Sequence, residues 1–131
     1  MASIIIETTM RPRVLLADDY PDLLNAYKRL LSPSCDVVAC VTSGAAVFEA
    51  VETLRPHVVV LDLFIRPGNG LEICRDLKQV SPETAVIIVS ASDEADVGKQ
   101  AIEAGASAFV SKLSAVDDLW PAIQRAMGIV K

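Results

Sequence analysis

Val58-Val59-Val60-Leu61-Asp62 is an unbroken aliphatic run that ends on a charge. Without polar alternation, such a run reads as a strand buried on both faces, the kind that builds parallel sheets. Buried strands normally end in turn residues, yet here a carboxylate stands at the end. The same arrangement occurs three more times. Val14-Leu15-Leu16-Ala17 runs into Asp18-Asp19, the stretch from Ala85 to Val89 runs into Ser90, and Ala108-Phe109-Val110-Ser111 runs into Lys112. Open α/β sheets bind their ligands just outside the carboxyl ends of the strands. If the four runs are neighbours in one sheet, three carboxylates, a hydroxyl and an ammonium converge on one cleft. Such a set suits a phosphate and a metal ion.

The segments between these runs read as helices. After a strand over 13–17, Leu23, Leu24, Tyr27, Leu30 and Leu31 recur at helical spacing, and Ser32-Pro33-Ser34 stops the helix. A second strand spans 36–41. Ser43 is placed to cap a helix with Val47, Phe48, Val51 and Leu54 on one face, and Arg55-Pro56-His57 leads into the central run. Pro67-Gly68-Asn69-Gly70 is a turn before a helix marked by Leu71, Cys74, Leu77 and Val80. Ser81-Pro82-Glu83 then breaks to the fourth strand. Ser92 or Asp93 caps a fourth helix that stops near Ala104-Gly105, where glycine supplies a left-handed terminus. A strand over 107–111 precedes a last helix with Leu119, Trp120, Ile123 and Met127, and Pro121 within its first turns. The expectation is an α/β chain, an open parallel (βα)₅ sheet with right-handed crossovers and helices on both faces.

A chain of 131 residues holds one domain with a sizeable core. Apolar residues make up 52% and charged residues 22%, a globular balance. With 12 basic and 17 acidic residues the net charge is −5, and no basic cluster exceeds Lys28-Arg29. That excludes an electrostatic footprint for nucleic acid on this chain. Cys35, Cys40 and Cys74 form an odd, scattered set, read as buried small residues in a reducing compartment. The apolar stretches are far shorter than the ~20 residues that cross a bilayer. Residues 1–9 lack the pattern of a secretory signal, so no membrane association and a cytoplasmic location are expected.

Adjacent carboxylates at a strand end repel one another, and a divalent cation relieves that repulsion. Asp18, Asp19 and Asp62 offer the hard oxygens that Mg²⁺ prefers, Lys112 a point charge for a phosphate oxygen, and Ser90 a hydroxyl beside the small Ala91. The natural reaction of such a set is phosphoryl transfer onto a carboxylate. Taken singly, Asp18-Asp19 could cap a helix, Asp62 and Ser90 could be turn residues, and Lys112 a surface charge. Four strand ends carrying parts of one chemistry outweigh those readings.

This ordered set resembles the receiver domain of bacterial two-component response regulators, over residues 13–128, with 1–12 as a lead-in and 129–131 as a tail. The resemblance implies a flavodoxin-like doubly wound sheet of order 2-1-3-4-5. It implies Asp62 as phosphoacceptor, Asp19 as direct Mg²⁺ ligand, Asp18 as a ligand through water, and the Phe64 carbonyl as a further ligand. It also implies backbone contacts to phosphate from Phe64 and Ala91. Ser90 would be the switch hydroxyl and Lys112 the lysine that pairs with phosphate. Phe109 would be an aromatic that turns inward on activation, with plain core packing as the alternative. The implied phosphodonor is a sensor histidine kinase or a phosphotransfer protein, and the implied role is a signalling switch rather than a turnover enzyme. A homodimer stays open, and so does Trp120 as a core or partner-facing residue.

Two positions depart from the family pattern: Leu113 replaces the usual proline after Lys112, and Arg66 precedes Pro67 where the proline normally comes one residue earlier. Phe64 stands where many relatives carry a polar residue, which would slow loss of phosphate if its side chain lies near the phosphoryl group. Two other readings stay open: an Mg²⁺-dependent phosphohydrolase with an aspartyl nucleophile, and a receiver-like adaptor that works without phosphorylation. The run from Val14 to Asp19 and Leu61-Asp62-Leu63 are similar to NarL-type receivers, which precede a helix-turn-helix domain. No output domain is read within these 131 residues, leaving a stand-alone receiver or part of a longer DNA-binding regulator.

Overall fold

The computed structural model describes residues 11–91 and 95–129, with the backbone alone at Ala95. Residues 1–10 of the lead-in, the cap at Ser92 or Asp93, and the last two residues of the tail lie outside the described residues. Five strands and five helices alternate: β1 (Arg13–Ala17), α1 (Pro21–Leu31), β2 (Asp36–Val41), α2 (Gly44–Leu54), β3 (Val58–Asp62), α3 (Gly70–Val80), β4 (Ala85–Ser90), α4 (Ala95–Glu103), β5 (Ala108–Ser111) and α5 (Ala115–Met127). The sheet is parallel throughout, in the order β2-β1-β3-β4-β5. The doubly wound architecture is therefore as the sequence implies.

Each side of the sheet carries its own apolar layer. Leu15, Val59, Leu61, Val86 and Ile88 pack under α2, α3 and α4 against Val47, Val51, Ile73, Leu77 and Ala101. The alternate positions Val14, Leu16, Val60, Ile87 and Val89 face α1 and α5 and meet Leu24, Leu31, Leu119 and Ile123. This two-sided burial is why β3 and β4 read as unbroken apolar runs. Trp120 is half-buried and packs against the second layer.

Edge position explains one correction. Cys35 and Cys74 are buried, and burial pushes both thiols up to about 11. Cys40, expected to be buried as well, is exposed because β2 is an edge strand with only partial cover. Arg11 and Pro12, counted with the lead-in, are also tied to the domain. The Arg11 guanidinium donates to the carbonyls of Ser32, Pro33 and Cys35 and to Asp36 Oδ1, closing the carboxyl end of α1. The Pro12 carbonyl accepts from Asp36 N–H.

Helix ends follow local chemistry. Ser43 caps α2 by accepting from Ala46 N–H, as the sequence indicates. Asn69, read only as part of a turn, caps α3 by accepting from the N–H groups of Leu71 and Glu72. Pro121 lies in the seventh position of α5, where the Asp117 carbonyl it cannot serve belongs to an exposed residue.

Candidate functional site

The strand order sets β1 and β3 side by side, with β4 and then β5 beyond them, so the four polar strand ends meet at one edge of the sheet. Asp18 and Asp62 are each nearly buried, and Ser90 is fully so. Ser90 pairs in register with Ser111, and its carbonyl accepts from Lys112 N–H at 2.8 Å. This bond fixes where the lysine leaves the sheet. The Lys112 ammonium then reaches back across the strand ends to Asp62 Oδ1 at 3.0 Å and Asp18 Oδ2 at 3.1 Å. The contact to Asp62 Oδ1 is an ion pair between two largely buried groups. Asp18 serves two ends: Oδ2 faces Lys112, and Oδ1 accepts from Tyr20 N–H at 2.9 Å, shaping the turn into α1. Asp18 thus shapes the turn into α1 and faces Lys112 at once.

Burial pushes the Asp62 carboxyl above the ordinary carboxylate range; Lys112 opposes this, and the neighbouring Asp18 and Asp19 add to the rise. Burial alone would lower Lys112, but Asp62 and Asp18 outweigh it and hold the ammonium above its usual value. The two directions are compatible. One cation facing two carboxylates is well compensated, whereas two carboxylates sharing one cation are not.

One oxygen from each of Asp18, Asp19 and Asp62 lies within 4.8 Å of the other two. Ligands on opposite sides of an Mg²⁺ octahedron stand about 4.2 Å apart, so this oxygen-only set fits such an ion with small side-chain adjustments. The remaining predicted residues sit around this cluster. Phe64 is exposed in the β3–α3 loop between the buried Leu63 and Ile65, and Ala91 is exposed just past β4. Phe109 is half-buried; its ring lies along α4, 3.4 Å from where a Cβ on Gly98 would stand. Leu113 is 86% exposed, and the single cis peptide among the described residues is Arg66–Pro67.

The sequence reading set Arg66 at the border of the site and Tyr27 on the apolar face of α1, without the contacts each makes towards the cluster. Arg66 Nε stands 3.5 Å from Asp19 Oδ2. Tyr27 sends a buried hydroxyl from α1 towards the charged cluster; burial raises its pKa, with opposing influences from Lys112 and from Asp18 and Asp62. Neither contact carries a signal of its own in sequence.

A model of the response regulator receiver domain family matches residues 14–124. The DNA-binding transcriptional activator EvgA of Escherichia coli (strain K12) is 33% identical over 113 residues, which is 86% of this chain and 55% of that protein. The nitrate/nitrite response regulator protein NarL of the same strain is 31% identical over 115 residues, 86% of this chain and 53% of that protein. The chain thus spans about half the length of these relatives. The signal receiver domain of the response regulator NarL from Mycobacterium tuberculosis superposes with a TM-score of 0.84 at 30% identity, covering 90% of this chain and 98% of that one.

Proposed function

The chain belongs to the response regulator receiver domain family of two-component systems, and from that premise we propose that it is a phosphorylation-controlled switch whose acceptor is Asp62. The observation that carries this reading is the placement of Asp62 beside both Lys112 and the Asp18–Asp19 pair. A carboxylate oxygen of Asp62 attacks phosphorus as the bond from phosphorus to the donor breaks. With a sensor histidine kinase or phosphotransfer protein as donor, that bond is to an imidazole nitrogen, and the imidazole leaves with the electron pair. Mg²⁺ held by Asp19 and Asp62, by Asp18 through water and by the Phe64 carbonyl would offset the negative charge of the phosphoryl oxygens. Lys112 is already at 3.0 Å from Asp62 and needs little movement to pair with a new phosphoryl oxygen.

Once Asp62 carries a dianionic group, Ser90 supplies the nearby hydroxyl and the backbone beyond it at Ala91 an N–H. Phe109, whose ring lies beside Gly98 on α4, can then turn inward. The affected surface is α4, β5 and α5, which we assign to the partner or output. DNA-binding relatives about twice as long make transcriptional output the natural use of that surface. The role is that of a signalling phosphoacceptor that catalyses only its own phosphorylation and dephosphorylation.

Incubation with acetyl phosphate and Mg²⁺, followed by intact mass measurement, tests this directly. The chain should gain one phosphoryl group, and Asp62→Asn should gain none. A gain that persists in Asp62→Asn rules out Asp62 as the acceptor.

A further inference from the structure

The acid cluster is compensated by two cations of different character. Lys112 is a quarter exposed and sits between the two most buried carboxylates. Arg66 is 83% exposed and touches the outermost acid, Asp19, whose side chain is 34% exposed. The Arg66 backbone is nevertheless fixed. Its carbonyl accepts from Gly44 N–H at 2.9 Å, and the following Pro67 carbonyl lies so close to Gly44 that a Cβ there would be 2.7 Å away. An exposed guanidinium is thus anchored at a fixed point on the rim, with Asp19 in reach.

We propose that Arg66 is a displaceable counter-ion of the metal site: it occupies Asp19 when no divalent ion is bound, yields it when one binds, and so sets the affinity for that ion. This rests on the reading that Asp18, Asp19 and Asp62 hold Mg²⁺. Two effects act in the same direction. The exposed ion pair must loosen before Asp19 can turn an oxygen to the metal, and such pairs are weak enough to yield. A guanidinium that remains tethered to the rim then repels the arriving dication. Lys112 does not compete in this way at Asp19, because its contacts are to Asp18 and Asp62.

Calorimetric titration of the whole chain with Mg²⁺, for wild type, Arg66→Ala, Arg66→Gln and Arg66→Lys, tests the proposal without a phosphorylation readout. The exposed side chain makes loss of folding in these variants unexpected, which thermal melts check. Removing the charge should tighten Mg²⁺ binding about two- to fivefold, the range of an exposed ion pair. Lysine should restore the wild-type affinity. The gap should close in about 1 M salt, where the Debye length shrinks to ~3 Å; a purely structural role of Arg66 would show neither response. Equal or weaker binding by Arg66→Ala beside normal binding by wild type overturns the proposal and leaves the metal site standing. If wild type itself binds no Mg²⁺, the metal site falls and the proposal with it.

Discussion

In the folded chain the Asp62 carboxyl is raised above its ordinary range, because burial and its acidic neighbours together outweigh Lys112. A carboxyl raised in this way makes the folded state bind a proton more readily than the unfolded state. Stability therefore falls as pH rises from the ordinary carboxylate range through the raised folded value. Asp62→Asn keeps the shape, removes the charge and leaves Lys112 with Asp18. In divalent-free buffer at neutral pH it should unfold at higher urea than wild type, with the gap closing as pH falls into the ordinary carboxylate range. Urea midpoints across pH check this; a gap that is absent at neutral pH, or that widens on acidification, contradicts it. Phe64 poses a separate question at the same scale. A bulky apolar group two residues from the acceptor should keep water off the phosphoryl group. Phe64→Asn should then speed loss of phosphate about three- to tenfold, or roughly 0.7–1.4 kcal/mol of barrier, and an unchanged decay rate would remove Phe64 from the account.

At the scale of elements, the amino end of α3 is where packing bears on chemistry. Asn69 caps the helix from outside, while Gly70 lets the first turn lie directly on the acceptor's backbone. A Cβ on Gly70 would stand 2.8 Å from the Asp62 carbonyl oxygen and 2.8 Å from Leu63 Cα, neither of which can swing aside. Asn69→Ala should cost about 1 kcal/mol of stability, the usual loss for such a cap, with the phosphorylation rate kept. Gly70→Ala should cost about 1–3 kcal/mol from overpacking and slow phosphorylation as well, because the backbone of Asp62 must move. Urea midpoints and acetyl phosphate kinetics separate the two; equal rates in both variants would show that the close approach is irrelevant to the acceptor. The elements themselves were legible because β3 and β4 are buried on both faces and the helices carry one apolar stripe each. What stayed hidden joins distant segments. The Arg13 N–H donates to His57 Nδ1, the Arg11 guanidinium closes the end of α1, and Arg66 meets Asp19. No periodicity records such pairings, since each depends on where the sheet order brings two loops.

For the molecule as a whole, the site exists only in the folded sheet. Asp18 and Asp62 are distant in sequence and become neighbours because β1 pairs with β3, while Lys112 arrives from the far edge strand. The convergence of strand ends was readable from sequence, but the order 2-1-3-4-5 came from family resemblance alone, because alternation of strands and helices is compatible with several windings. An ion that needs all three acids has no site on the unfolded chain, so its binding must stabilise the fold by mass action. Above the dissociation constant, each tenfold rise in free Mg²⁺ should add ~1.4 kcal/mol to unfolding, seen as a rising urea midpoint at constant slope. Asp19→Asn removes one ligand and the partner of Arg66 together, and should flatten the response while leaving the fold intact, since its side chain is partly exposed. A midpoint that ignores Mg²⁺ in wild type, or that climbs equally in Asp19→Asn, would mean that the three acids are held together by Lys112 and Arg66 alone.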